Sequence, residues 1–341
     1  MNSNTPSARK FSLIYLEESC AQEKLTQRIL KQYTQATVVP VRSYKEIFNR
    51  PNQMRSAQHP ADALILAWKY DPFLYPRALP CPDLGFHHVY YTTPVMNCIF
   101  SCEYCFLRGL YECAYPVIFV NVDSFFAAVS AKLKELQQPI LLQLSYESDL
   151  PAMEKITGLC SLWDAFVRTR KRLTLEIRSK SARTPMALGL GAAHRGIIWS
   201  WTLSPQSLID RFEVGCPSLE ARLEAIRETA NQGWPVALAL DPVLPVPDAP
   251  AIYRDFIAQL IPIIRNVRPA FVTLGGLRYT TEHWSRLRQR YPGSPIAALP
   301  MERDSSGMIS GDRESKMILK GLAEVLGREL EILKIPFYFT T

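Results

Sequence analysis

The sequence predicts an α/β fold, a partial (β/α)6 barrel of the TIM type with an extension at each end. Three observations carry that reading. Between residues 86 and 302 the hydrophobic period switches repeatedly between two and 3.6, the pattern of consecutive strand-helix units around a parallel sheet. Six strand-like runs occur there, fewer than the eight of a complete barrel. Within those runs the side chains divide by parity into an apolar face and a small or polar face.

Taken in order, residues 1–85 form an N-terminal α/β extension. It is strand-like at 11–16, helical at 22–33, and strand-like again at 37–41 and 63–68. Pro72, Pro76, Pro80 and Pro82 follow and read as a linker or boundary. The barrel strands are expected at 87–93, 139–145, 172–178, 196–202, 235–241 and 270–275, with the clearest helices at 123–136 and 218–231. In the second helix Leu219, Leu223, Ile226 and Ala230 fall on one face, which should pack on the sheet. Residues 303–341 are expected to add a C-terminal helix and strand.

Parity separates Leu173, Leu175 and Ile177 from Thr174, Glu176, Arg178 and Lys180. It sets Ile197, Trp199 and Trp201 against Ile198, Ser200 and Thr202, and Val236, Leu238 and Leu240 against Ala237, Ala239 and Asp241. A closed barrel fills its interior with bulky branched side chains. Here the charged members gather toward the C-terminal ends, which suits an open barrel with a polar ligand in its mouth. A sheet with one solvated face would give the same parity.

Composition narrows the function classes. A chain of 341 residues with 48% hydrophobic content can bury a large core. No apolar run approaches the ~18 residues of a membrane span, and residues 1–10 lack the basic-then-apolar pattern of a secretory signal. The expectation is a cytoplasmic protein without a membrane partner, whose eight cysteines are reduced. The net charge of +7 permits an anionic partner such as nucleic acid without demanding one.

The chemistry sits in Cys98-Ile-Phe-Ser-Cys102-Glu-Tyr-Cys105, directly after the first barrel strand. Thiolates hold iron-sulfur clusters, and three of them on a four-iron cluster leave one iron open. Zinc sites pair such cysteines with a second C-x2-C or two histidines. The remaining cysteines, at 20, 81, 113, 160 and 216, supply no second pair, and the five histidines are scattered. The spacing therefore favours a 4Fe-4S cluster over zinc or unligated thiols.

The C-x3-C-x2-C spacing with Tyr104 before the third cysteine resembles the radical S-adenosylmethionine (AdoMet) enzymes. The cluster loop, Ser145-Tyr146-Glu147-Ser148-Asp149, Arg178-Ser179-Lys180, residues 213–233 and Ile335-Pro336-Phe337-Tyr338 resemble the spore photoproduct lyase-like family within that superfamily. The resemblance implies that Cys98, Cys102 and Cys105 ligate the cluster and that Tyr104, Glu147, Ser148, Lys180 and Ser200 serve the AdoMet site. It also implies reductive cleavage of AdoMet to a 5′-deoxyadenosyl radical, DNA carrying a photolesion as substrate, and a flavodoxin or ferredoxin as reductant. Lys180 is a point charge suited to the methionyl carboxylate, or a snorkelling surface lysine. Glu147 falls where many enzymes of the superfamily place a glutamate against the cofactor amine, or is a solvated loop residue. Ser148 either contacts the cofactor or caps the next helix.

The departures from the family matter as much. The family places its hydrogen-donating cysteine where this chain has Tyr146, and a second relay tyrosine where this chain has Phe106. Residues 302–312 match the stretch that inserts an aromatic, basic hairpin into the lesion, yet they carry no aromatic residue. Cys113 and Cys216 are expected on the loops of the catalytic rim. Cys216 is the favoured substitute donor, with Tyr146 and Tyr104 as its catalytic companions. Seven basic residues between Arg168 and Arg183, against one acid, offer phosphate contacts. A radical enzyme acting on DNA, one acting on another substrate, and a non-catalytic iron-sulfur binding protein are the functions left open.

Overall fold

The computed structural model describes residues 11–78, 81–305 and 307–340. All six barrel strands form, at His88–Tyr91, Ile140–Gln143, Leu173–Ser179, Ile197–Thr202, Val236–Val243 and Val272–Gly276. They pair in parallel and in chain order. Phe337–Thr340 extends the sheet in parallel beyond the sixth strand, and Tyr75–Pro76 pairs antiparallel with the first. The Pro-rich stretch thus supplies an edge strand as well as a connection, and proline is tolerated there because an edge N–H has no partner to lose. The two end strands do not pair with each other among the described residues, so the barrel is open.

The parity reading holds. Leu173, Leu175, Ile177, Trp199, Trp201, Val236, Leu238 and Leu240 are buried in the main core, which includes helix residues Leu219, Leu223 and Ile226, whereas Ala230 is half-buried. The opposite face is buried too, which removes the alternative of a solvated sheet: Glu176 and Ser200 are each only 1% exposed. Toward the start of the strands it is apolar, where Val89, Leu141, Ile198, Ala237 and Phe271 form a separate small cluster. The barrel therefore has an apolar floor and a polar mouth.

The N-terminal extension is a five-stranded sheet ordered Thr37–Val41, Leu13–Glu17, Ala63–Ala67, Val117–Phe119 and Val95–Met96. Its last two strands lie beyond residue 85 and bracket the cluster loop, so the expected boundary is crossed by a shared sheet. At the other end, helix Arg313–Ile332 buries Leu319, Leu322, Leu326 and Leu330 and leads into strand Phe337–Thr340. Met301–Arg303 and Met308–Gly311 form a hairpin that pairs with Arg278–Thr280. Among the described residues no helix is long and apolar enough to cross a membrane.

Candidate functional site

The loop carrying the three cysteines is pinned on several sides. Ser101–Cys102 pairs antiparallel with Glu213–Val214. The short helix Leu107–Leu110 lies so close to helix Thr281–Arg290 that a Cβ on Gly109 would run into the His283 carbonyl oxygen. Arg290 donates to the carbonyls of Arg108 at 3.2 Å and Tyr111 at 2.8 Å, and Ser294 Oγ donates to Glu103 at 2.6 Å.

Cys98, Cys102 and Cys105 line one cavity of about 210 Å³, together with Arg55, Arg108 and Tyr291. Among the described residues no three histidine, cysteine, aspartate or glutamate side chains converge closely enough for a single metal ion. The thiols border a shared space instead, which a polynuclear group can fill. Burial pushes the Cys98 and Cys105 thiols up. Cys102 is held down by a hydrogen bond with Cys216, 3.5 Å away sulfur to sulfur, and by the nearby Lys180 charge. Arg55 is only 7% exposed; it donates to the Cys113 carbonyl, and its Nε has no partner. Three thiol donors on a wall with buried cationic side chains fit a thiolate-ligated 4Fe-4S cluster, whose ligands bring negative charge.

Behind this wall lies a buried ionic assembly. The Tyr104 hydroxyl donates to Glu213, which is paired with Arg222; both charged side chains are 0% exposed. Arg222 also donates to the Thr202 carbonyl at 3.0 Å, and Tyr279 Oη donates to the Tyr104 carbonyl at 2.7 Å. Lys180 follows the third barrel strand directly, and its ammonium stands 5.5 Å from the centre of the Tyr104 ring. Burial would pull its pKa down, but Glu213, Cys102 and Cys216 outweigh that and hold it above the usual lysine range. Asp149 fixes the Lys180 backbone, accepting from Lys180 N at 2.7 Å and from Ser179 Oγ at 2.8 Å.

Asp149 also caps the next helix, accepting from Ala152 N at 3.0 Å. Ser148 is therefore not the cap, and its Oγ rests 3.6 Å from Met153 Sδ. Ser200 Oγ is buried with no partner, on the inner face beside Arg178. Glu147 is engaged elsewhere, accepting from Tyr111 Oη at 2.5 Å. Burial first, then the neighbouring Cys81, Tyr91 and Glu147, raises the Tyr146 phenol, whose ring lies 4.5 Å from that of Tyr91 and 5.7 Å from that of Phe106.

Two rim expectations change. Cys113 is 0% exposed beneath the loop and belongs to the core. Cys216 lies against Cys102, at the cluster wall rather than beside Tyr146. At the barrel mouth Glu176, Arg178 and Asp241, which parity placed there, meet Gln143 and Arg278, which local sequence signals missed. Gln143 donates to Glu176 at 2.6 Å, Arg178 binds the other Glu176 oxygen at 3.0 Å, and Arg278 clasps Asp241 through both carboxylate oxygens. Cys81 sits in the field of these four charged groups, which the run of prolines around it gave no reason to expect.

A family model described as spore photoproduct lyase matches residues 85–309. The chain belongs to the spore photoproduct lyase family. It is 21% identical over 293 residues to the spore photoproduct lyase of a Geobacillus species, covering 83% of each chain. Among solved structures, spore photoproduct lyase complexed with dinucleoside spore photoproduct is similar with a TM-score of 0.78 at 17% identity, over 98% of this chain and 99% of that one. A double mutant of spore photoproduct lyase with bound AdoMet and dinucleoside spore photoproduct gives a TM-score of 0.77 at 17% identity, over 97% and 99% of the two chains. These likenesses place the fold among the radical AdoMet partial barrels.

Proposed function

We propose that this chain is a radical AdoMet enzyme that reverses a thymine-dimer photolesion in DNA. The observation that carries the reading is the half-buried Lys180 ammonium over the ring of Tyr104, on the loop whose Cys98, Cys102 and Cys105 line one cavity, within this family's fold. Those three cysteines would hold the 4Fe-4S cluster. When bound, the cluster and AdoMet together supply a 5′-deoxyadenosyl radical, after one electron from a reductant of the flavodoxin or ferredoxin class.

The chain's own residues do the rest. Lys180 offers the methionyl carboxylate a positive charge already partly desolvated, so the attraction is less screened than in water. Asp149 fixes the backbone that carries this lysine. Ser148 and Ser200 remain the hydroxyls available to the cofactor, while Glu147, taken by Tyr111, would have to release that hydroxyl to serve the cofactor amine. Buried Glu176 with half-buried Arg178, Asp241 and Arg278 at the mouth supply paired charges against which a polar base can be oriented.

The experiment is anaerobic reconstitution with iron and sulfide, then incubation with AdoMet, dithionite and dinucleoside spore photoproduct. Release of 5′-deoxyadenosine and of thymidine is expected. A loaded protein that releases no 5′-deoxyadenosine would overturn the enzymatic reading; release without repair would point to another substrate.

A further inference from the structure

Arginine is almost never buried without a paired charge, because taking a cation out of water is costly unless an opposite charge offsets it. Arg55 breaks that rule. It opens the short 3-10 helix Arg55–Ala57 of the N-terminal extension and is only 7% exposed. Among the described residues it forms no ion pair. The carboxylates around the cysteine loop are engaged elsewhere: Glu112 pairs with Arg290, Glu213 with Arg222, and Glu103 accepts from Ser294.

The Arg55 guanidinium donates to two neutral acceptors, the Cys113 carbonyl and, at 3.4 Å, Asn97 Oδ1. Asn97 Nδ2 donates in turn to the carbonyls of Cys113 at 2.8 Å and Tyr115 at 3.0 Å, which ties Arg55 to the residue that precedes Cys98. Gln58 accepts from Ala114 N at 2.8 Å and holds the same segment against the loop. Arg55 Nε has no acceptor, although the side chain lines the cavity of Cys98, Cys102 and Cys105. Arg108, the other cation of that cavity, differs: it is half-buried, donates to the Ser101 carbonyl at 2.9 Å and lies over the Tyr291 ring, 4.5 Å from its centre. One buried positive charge therefore faces the cysteine cavity without a counter-charge from the described protein.

We propose that Arg55 is the counter-ion of the 4Fe-4S cluster and that its charge sets the potential at which the cluster accepts an electron; the proposal rests on the cluster reading above. Three thiolates outweigh the positive charge of a four-iron core, so the assembly they complete is an anion. The single electron from a flavodoxin- or ferredoxin-class reductant adds one further negative charge, and no bond forms or breaks. A fixed cation in the cavity wall favours the reduced state over the oxidised one, through an attraction that burial screens less than water would. Arg55 is thereby a positioning residue, acting on the reaction through the cluster.

Potentiometric titration of the anaerobically reconstituted full chain, followed by electron paramagnetic resonance of the reduced cluster, tests this. Arg55→Met keeps the bulk and removes the charge, and its midpoint shifts to a more negative potential. Arg55→Lys keeps the charge and loses the planar fork, and its midpoint stays close to that of the wild type. A midpoint unchanged in Arg55→Met, or moved equally in both variants, overturns the proposal and leaves Arg55 as an anchor of Cys113 and Asn97. If Arg55→Met retains no cluster, the metal-free chain decides. An unfolding midpoint at or above that of the wild type assigns the loss to the missing charge, whereas a lowered one makes Arg55 a support of the fold and overturns its role as counter-ion. A wild type whose iron content and visible absorbance show no four-iron cluster overturns the cluster reading, and the role of Arg55 with it.

Discussion

The ammonium of Lys180 stands over the ring of Tyr104, 5.5 Å from its centre, so the cofactor-side lysine and the cluster loop meet in one buried contact. Replacing Lys180 with Ala removes the cation proposed here to meet the AdoMet carboxylate. AdoMet binding should weaken by about 1.5–3 kcal/mol, the range of a charged hydrogen bond, while iron content stays unchanged. Calorimetry on the reconstituted variant checks this, and an unaltered Kd would return Lys180 to a purely structural role.

Each of Cys98→Ala, Cys102→Ala and Cys105→Ala should lose the visible absorbance of the cluster together with 5′-deoxyadenosine formation, because three thiolates are the minimum that leaves one iron open. Cys160→Ala, in the core, should keep both. A Cys102→Ala protein with full iron and full activity would remove this loop from the mechanism.

Glu213→Ala leaves Arg222 buried and unpaired and deprives Tyr104 of its acceptor. Breaking one side of a buried pair typically costs about 3–5 kcal/mol. Urea unfolding should show a loss of that size, and a loss below about 1 kcal/mol would mean that water reaches Arg222.

Glu147 gives a pH signature. Burial raises its carboxyl pKa above the ordinary 4.5, against the lowering pull of the Tyr111 hydrogen bond and of Lys69. The folded state then holds this proton more tightly than the unfolded chain does. The stability it contributes is complete below the unfolded pKa and is lost as pH rises through the folded value. Glu147→Gln should therefore be more stable than the wild type at neutral pH, with the difference shrinking as pH falls toward 4.5. Denaturation midpoints across that interval measure it, and a gap that widens on acidification would contradict it.

Gly109→Ala drives a methyl group into the His283 carbonyl, which is backbone and cannot swing aside. Overpacking of this kind costs about 1–3 kcal/mol. The expected readout is a lower melting temperature with poorer cluster retention, since the same helix closes the cysteine loop. An unchanged melting temperature would show that helix Thr281–Arg290 is free to move.

The barrel was legible because strand side chains alternate, so Leu173, Leu175 and Ile177 announce one face and Glu176 and Arg178 the other without knowledge of any partner. The cluster loop was legible because its three ligands are close in sequence. Glu213 and Arg222 were not picked out for the contacts they make. Each acquires them from a residue many positions away, through Tyr104 or Thr202, and no local period encodes such a meeting. For Cys216 the sequence shows only a loop after a strand, whereas the pairing of Glu213–Val214 with Ser101–Cys102 brings its thiol against Cys102. Asp149 rather than Ser148 became the helix cap because one carboxylate can accept from Ala152, Ser179 and Lys180 at once.

The sheet shared between the N-terminal extension and the strands flanking the cysteine loop limits how far the chain can be trimmed. A fragment beginning at residue 86 would retain Cys98, Cys102, Cys105 and Lys180 in sequence. It would leave Val95–Met96 and Val117–Phe119 as a solitary two-stranded ribbon, which is marginal in water. The three loop cysteines would then sit in the loop of a frayed hairpin. Residues 11–67, which carry none of the proposed ligands, act as the scaffold on which the cysteine loop is stretched.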